Sequence, residues 1–300
     1  MEKRSHQLRY DATPILELKD WRLERFGVRL LMKCEYLNHP DISGNKWWKL
    51  KYNLEEVVRL RCDTILTFGG AYSNHIYATA AASKELGLNS IGIIRGEEVL
   101  PLNQTLAFAE SCGMKLHYIT REEYQHKKEE SFIQNLHDQF GDFYLIPEGG
   151  TNELAVKGVE EFGEALINEV DFDYLCLPAG TGGTMAGLVR GMKGTKNILG
   201  FSVLKGGGFL KDEIKSWAGD SIDNWSIVEE YHFGGYAKTT NELMNFMDEF
   251  ESQLEFPLDQ VYTAKMMFGV LDLLQKGFFK KGSTILALHT GGLQGRMSFR

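Results

Sequence analysis

"DYLCLPAGTGGTMAGLVRGM" (Asp173–Met192) passes from an apolar run of strand character, through a turn holding Gly180, Gly182 and Gly183, into a segment with helical apolar spacing. Strand, glycine turn and helix in direct succession form the unit of a parallel sheet, because a parallel strand pair needs a crossover. Strand-like runs recur in "TILTFGG" (Thr64–Gly70), "SIGIIRG" (Ser90–Gly96), "KLHYIT" (Lys115–Thr120) and "FYLIPEGG" (Phe143–Gly150), most of them ending in glycine. They return in "ILGFSVLKGGG" (Ile198–Gly208) and "STILALHTGG" (Ser283–Gly292). One series fills Leu50 to Gly150 and a second begins at Asp171, after the helix-like "NELAVKGVEEFGEALINEV" (Asn152–Val170). Large twisted sheets split, so the pattern predicts two open, twisted parallel-sheet α/β domains packed across a cleft. "VRLLMKCEYLN" (Val28–Asn38) predicts a further strand joining one sheet.

Composition narrows the function classes. The chain has 300 residues, 43% of them hydrophobic, enough for a sizeable core. Its 41 acidic and 33 basic side chains give a net charge of -8, which argues against nucleic acid as the partner and for a small molecule. Cys34, Cys62, Cys112 and Cys176 are scattered without close pairing and read as reduced thiols of a cytoplasmic protein. The opening "MEKRSHQLRY" lacks the apolar core of a secretory signal. No run approaches the roughly twenty apolar residues of a membrane span, so neither export nor insertion is expected. His117, His126 and His137 lack helical i, i+4 pairing and no Cys-x-x-Cys is present, so no metal site is expected. A G-x-S-x-G nucleophile elbow is also missing.

The turn from Gly180 to Thr184 has the makings of a phosphate cradle. Its glycines leave backbone amides free to face an anion, Thr181 and Thr184 add hydroxyls, and the helix that follows contributes its positive end. It lacks a P-loop lysine, and Met185 stands where the third glycine of a dinucleotide fingerprint would fall. A tight turn without a ligand has the same appearance. In "TFGGAYSNHIYATAAASKELG" (Thr67–Gly87), Ser73 or Asn74 can cap a helix beginning near His75. Tyr72, Ser73, Asn74 and His75 together offer more polar groups than a cap uses, so a substrate carboxylate or a cofactor competes with the cap. Tyr236 and Tyr262 each stand near a helix start, and Thr290 closes a strand edge at "LHTGG". "SGNKWWKLKYN" (Ser43–Asn53) adds Lys46, Lys49 and Lys51. An amine that forms a Schiff base must be partly deprotonated, which desolvation or a neighbouring cation favours. The three lysines equally suit an ordinary helix face.

Taken together these stretches resemble the pyridoxal-phosphate enzymes of fold type II, the tryptophan synthase beta-like architecture. They resemble most closely the D-cysteine desulfhydrase and 1-aminocyclopropane-1-carboxylate deaminase group. The matching segments are "SGNKWWKLKYN", "FGGAYSNHIYATAAA", "YLIPEGGTNELAVKG", "AGTGGTMAGL", "FGGYAK", "DQVYTAKMMFGV" and "LALHTGG", in the family's order, from about Asp11 to Gly292. The resemblance implies pyridoxal 5'-phosphate in the interdomain cleft, held covalently by Lys46. It implies the phosphate on Gly180, Thr181, Gly182, Gly183 and Thr184. Asn74 would lie beside the ring hydroxyl, Tyr262 against the ring face and Thr290 at the ring nitrogen. Ser73, Asn74, His75, Tyr72 and Tyr236 would face the substrate, with Lys46, Ser73 and Tyr262 catalytic. The implied division is 49–151 as the smaller domain, and 1–48 with 152–300 as the larger, cofactor-binding one. A homodimer is implied as well.

Three positions bear on the reaction. The deaminases resemble one another in a glutamate after the Val-Tyr tyrosine, a leucine in His-Leu-Gly-Gly and a tyrosine before Ala-His-Leu-Gly-Gly. This chain has Thr263, Thr290 and Ala287 there. A hydroxyl at the ring nitrogen makes a weaker electron sink than a carboxylate, which suits loss of a β leaving group better than opening of a cyclopropane ring. The expected activity is therefore α,β-elimination from a small amino acid of the D-cysteine desulfhydrase kind, giving keto acid, ammonia and sulfide. The alternatives are 1-aminocyclopropane-1-carboxylate deamination and a non-catalytic α/β protein that binds a phosphorylated small molecule. Trp48 and Tyr72 depart from the family's usual residues, and their bulk is expected to reshape the substrate side of the pocket.

Overall fold

The computed structural model describes residues 8–299; the charged start as far as Gln7, and Arg300, lie outside them. The chain opens with an antiparallel pair, β1 (Ile15–Leu18) and β2 (Arg29–Lys33). It then builds a separate sheet from β3 (Thr64–Gly70), β4 (Asn89–Arg95), β5 (Met114–Ile119) and β6 (Tyr144–Ile146). These four strands run parallel in the order β5-β4-β3-β6. The chain returns through β7 (Tyr174–Ala179), β8 (Asn197–Ser202), β9 (Trp225–Val228) and β10 (Thr284–Leu288). A six-stranded sheet β1-β2-β10-β7-β8-β9 results, parallel except at its β1 edge. The expected pair of open parallel α/β sheets is present, and "VRLLMKCEYLN" does supply a strand, β2. Two strands go beyond the expectation: β1 and β9 are four-residue edge strands whose mixed exposure leaves no apolar run to read.

Five helices carry or flank the chemistry-bearing segments: α1 (Asn45–Leu60), α2 (Asn74–Leu86), α3 (Glu153–Glu169), α4 (Gly183–Met192) and α5 (Thr263–Gln275). The chain moves from the large sheet to the small one along α1 and comes back along α3. These two helices pack side by side. Trp48 of α1 stacks on Phe162 of α3 with ring centroids 4.9 Å apart. Glu161 of α3 accepts hydrogen bonds from the Lys51 ammonium at 2.7 Å and the Tyr52 hydroxyl at 2.8 Å.

Trp48 of α1 does not reshape a pocket, contrary to expectation. With 3.6 residues per turn, Lys46 and Lys49 share one face and residues 47 and 48 point elsewhere. Both rings are buried; Trp47 Nε1 donates to the Arg9 carbonyl and Trp48 Nε1 to the buried Glu35 carboxylate, each at 2.8 Å. Trp48 is thus a core residue with its one polar atom satisfied. All four cysteines are free. Among the described residues no helix is long and apolar enough to cross a membrane, and no His, Cys, Asp and Glu cluster could hold a metal ion.

Candidate active site

A cavity of about 790 Å3, within the ligand-sized range, opens where the carboxyl ends of the strands of both sheets meet. It collects Lys46, Ser73, Asn74, His75, the turn Gly180–Thr184, Tyr236, Tyr262 and Thr290. Tyr72 is absent from its wall: the side chain is on the exposed rim, and its carbonyl accepts a hydrogen bond from the Tyr236 hydroxyl at 3.2 Å.

Lys46 reaches the cavity because Gly44 lets α1 start against the "HTGG" strand end. Gly44 has φ +70°, and a Cβ there would collide with the Thr290 carbonyl. The Asn45 amide donates to that carbonyl at 3.2 Å. The Lys46 amine donates to Asn45 Oδ1 at 2.8 Å, with no carboxylate in ion-pair contact among the described residues. Burial pulls it down to about 8, opposed by the more distant Asp259 carboxylate. Lys49, one turn on, is buried; it donates to the Gly149 carbonyl and to Thr151 Oγ1. Burial, then the Lys46 cation, hold it well below the ordinary lysine range. Lys51 lies away from the cavity, against Glu161.

The Gly180–Thr184 turn has the form of an anion cradle. Gly182 is the N-cap of α4 in the left-handed region at φ +80°, and no side chain caps the helix, so its first amides have no side-chain acceptor. Asn45 Nδ2 donates to Thr184 Oγ1 at 2.7 Å, and the Thr181 hydroxyl meets Thr151 Oγ1 at 2.9 Å. The Tyr262 ring borders this turn: a Cβ at Gly180 would lie 3.5 Å from its Cε1.

At the other end, α2 is capped. Ser73 Oγ accepts from the His75 and Ile76 amides at 3.2 and 3.3 Å, so the cap reading holds while Ser73 also lines the cavity. Asn74 Oδ1 accepts from Gln294 Nε2 at 2.9 Å. The His75 ring is turned inward: Thr67 Oγ1 donates to the Ile146 carbonyl and therefore accepts from His75 Nε2–H, both at 2.8 Å. Burial and then the Lys49 and Lys46 cations keep this imidazole neutral.

Tyr236 does not adjoin a helix start; it stands in a loop, and the next helix is capped by Thr240. Tyr262 does adjoin one, at the N-cap of α5, and the two rings meet edge-on with centroids 6.1 Å apart. Thr263 faces away from the cavity: its hydroxyl donates to buried Asp259 at 2.7 Å. Asp259 also accepts the amides of Val261, Tyr262 and Thr263 at 2.8–3.0 Å, fixing the α5 start. An Asp four residues before a helix-start Thr is a local capping signal that would have found it.

The site and the two sheets define a class, an α/β enzyme with an anion cradle and a desolvated amine in one cleft. The profile of the "Pyridoxal-phosphate dependent enzyme" family matches residues 7–291, and the chain belongs to that family. It is 31% identical to a Pyrococcus horikoshii protein provisionally named 1-aminocyclopropane-1-carboxylate deaminase, over 96% of this chain and 91% of that one. It is also 31% identical to the Arabidopsis thaliana bifunctional D-cysteine desulfhydrase/1-aminocyclopropane-1-carboxylate deaminase, over 90% of this chain and 73% of that one. A solved structure of a 1-aminocyclopropane-1-carboxylate deaminase homologue superposes with a TM-score of 0.81 at 28% identity, covering 96% of this chain and 92% of that one. The cofactor is accordingly pyridoxal phosphate. The uncapped α4 start and the desolvated Lys46 amine fit its phosphate and its aldehyde.

Proposed function

We propose that the chain is a pyridoxal-phosphate lyase acting by α,β-elimination on a small amino acid, of the D-cysteine desulfhydrase kind. The observation that carries this reading is the Lys46 amine, pulled down to about 8 by burial, in one cavity with the uncapped cradle Gly182–Thr184. Lys46 would hold the cofactor through Nζ, Gly180–Thr184 its phosphate, Asn74 its ring hydroxyl, Tyr262 its ring face and Thr290 its ring nitrogen. Bound there, the cofactor supplies an electron sink for the carbanion chemistry.

The chain's own groups would do the rest. Lys46 Nζ would take the Cα proton as general base, and a depressed pKa keeps part of it neutral near physiological pH. The start of α2 orients the substrate carboxylate through the Ser73, Asn74 and His75 segment, and the Ser73 hydroxyl assists proton transfer. Tyr236 closes the substrate side. Thr290, a hydroxyl on the cavity wall, favours departure of a β substituent; Thr263, turned to Asp259, adds no support to that choice.

The names of the relatives favour a second reading, ring-opening deamination of 1-aminocyclopropane-1-carboxylate. Keto acid release from D- and L-cysteine, D- and L-serine, β-chloro-D-alanine and aminocyclopropane carboxylate separates the two. Turnover of D-cysteine with sulfide release is expected; turnover of the cyclopropane substrate alone would establish the second reading.

A further inference from the structure

Lys265 is fully buried on α5, three residues after Tyr262, and has no carboxylate in ion-pair contact among the described residues. A buried ammonium is costly unless every bond it makes is well directed. Asp259 is the acid whose field reaches it, but that carboxylate is taken up by the α5 start. The Lys265 ammonium instead donates to two backbone carbonyls, Gly235 at 2.7 Å and His232 at 2.9 Å.

Those carbonyls belong to the loop that carries Tyr236. Phe233, Gly234, Gly235 and Ala237 have φ of 50°, 93°, 113° and 53°. Left-handed backbone at Phe233 and Ala237 is unfavourable for residues with a Cβ and persists only where the surroundings hold it. From this loop the Tyr236 hydroxyl spans the cleft to the Tyr72 carbonyl, and its ring lies against Tyr262. One ammonium therefore joins the helix that begins at Tyr262 to the loop that presents Tyr236.

We infer that Lys265 is a positioning residue that clamps the 232–237 loop and so sets Tyr236 over the cavity against Tyr262. The inference rests on the reading of Tyr236 as a substrate-side residue. A neutral side chain of similar length would fill the same volume and leave both carbonyls without their second donor.

The test is a cycle of Lys265→Met, Tyr236→Phe and the double variant in the cofactor-loaded protein, joined to amide hydrogen exchange across residues 231–238 in protein with and without cofactor. Lys265→Met is expected to lower kcat/KM about tenfold, with little further loss when Tyr236 is already Phe, because the two act as one unit. Exchange in the loop is expected to quicken about tenfold with the cofactor present or absent. If Lys265→Met does not fold, Lys265→Gln, whose shorter side chain cannot span both carbonyls, takes its place in the cycle. Fully additive losses, or unchanged loop exchange in a folded variant, would overturn the inference. Failure of the unmodified protein to turn over any β-substituted amino acid would overturn the proposed reaction instead, and loop exchange would still decide the role of Lys265.

Discussion

The Asn45 side-chain amide donates to the Thr184 hydroxyl across 2.7 Å, while Asn45 Oδ1 accepts from the Lys46 amine at 2.8 Å. A single amide thus fixes the distance between the candidate anchoring amine and the helix start that would bind a phosphate. Asn45→Ala is expected to weaken cofactor retention by about 1 kcal/mol, roughly fivefold, with the fold unchanged. Fluorescence titration of cofactor-free protein measures it, and an unaltered affinity would separate the two groups functionally.

Lys46 titrates below a surface lysine. In the folded protein its amine sheds a proton near pH 8, whereas an ordinary lysine holds it to about 10.5. Between these values the unfolded chain binds more protons, so stability rises with pH there. Cofactor-free protein is expected to be least stable relative to Lys46→Met at and below pH 8, the gap narrowing as pH rises to 10.5. Urea midpoints of the two proteins across this window give the answer; a gap independent of pH would mean that the amine is solvated.

Removing Trp48 is expected to act on stability rather than on the cavity. Trp48→Ala empties a core site and strips Glu35 of a donor, costing about 3–5 kcal/mol. Trp48→Phe keeps most of the volume and leaves only Glu35 short of a bond, about 1–3 kcal/mol. Equilibrium denaturation should rank the variants in that order while the substrate preference of folded Trp48→Phe stays that of the unmodified protein. A changed preference would return Trp48 to the pocket.

Ser73 is expected to show two losses of unequal size. As an N-cap, its replacement by alanine costs about 1 kcal/mol of stability. As a proton-transfer group beside the substrate, the same change should lower kcat by about 100-fold. Thermal melts and initial rates on one preparation separate these effects, and a kcat loss of twofold or less would confine Ser73 to the cap.

Most of the parallel strands are legible because they join a β-branched or aromatic run to a glycine turn, as Thr64–Gly70 does. β1 and β9 are not, since an edge strand of four residues needs no continuous apolar run. The cradle at Gly180–Thr184 can be read locally, for its glycines and hydroxyls are consecutive. What separates Lys46 from Lys49 and Lys51 cannot, because the groups that take up the latter two come from segments far along the chain. Lys49 is enclosed by Gly149 and Thr151, about a hundred residues away. Trp48 misleads for the same reason: its partners Glu35 and Phe162 come from two other segments. Asp259 is legible as a local cap of the helix start, whereas Lys265 looks like any helix residue and only the tertiary fold brings it the carbonyls of His232 and Gly235.

The small sheet is an insert that the chain enters along α1 and leaves along α3 at one seam, and it is bridged to the rest across the cleft as well, by Asn74 with Gln294 and by the Tyr72 carbonyl with the Tyr236 hydroxyl. Lys46 lies at the tip of that seam, braced through Asn45 to Thr184 and Thr290, whereas Ser73 and Asn74 ride on the insert. The segment leading into α2 is therefore held to the large-sheet side by bonds of its own, and it faces the Lys46 amine and the Gly180–Thr184 turn across the cavity.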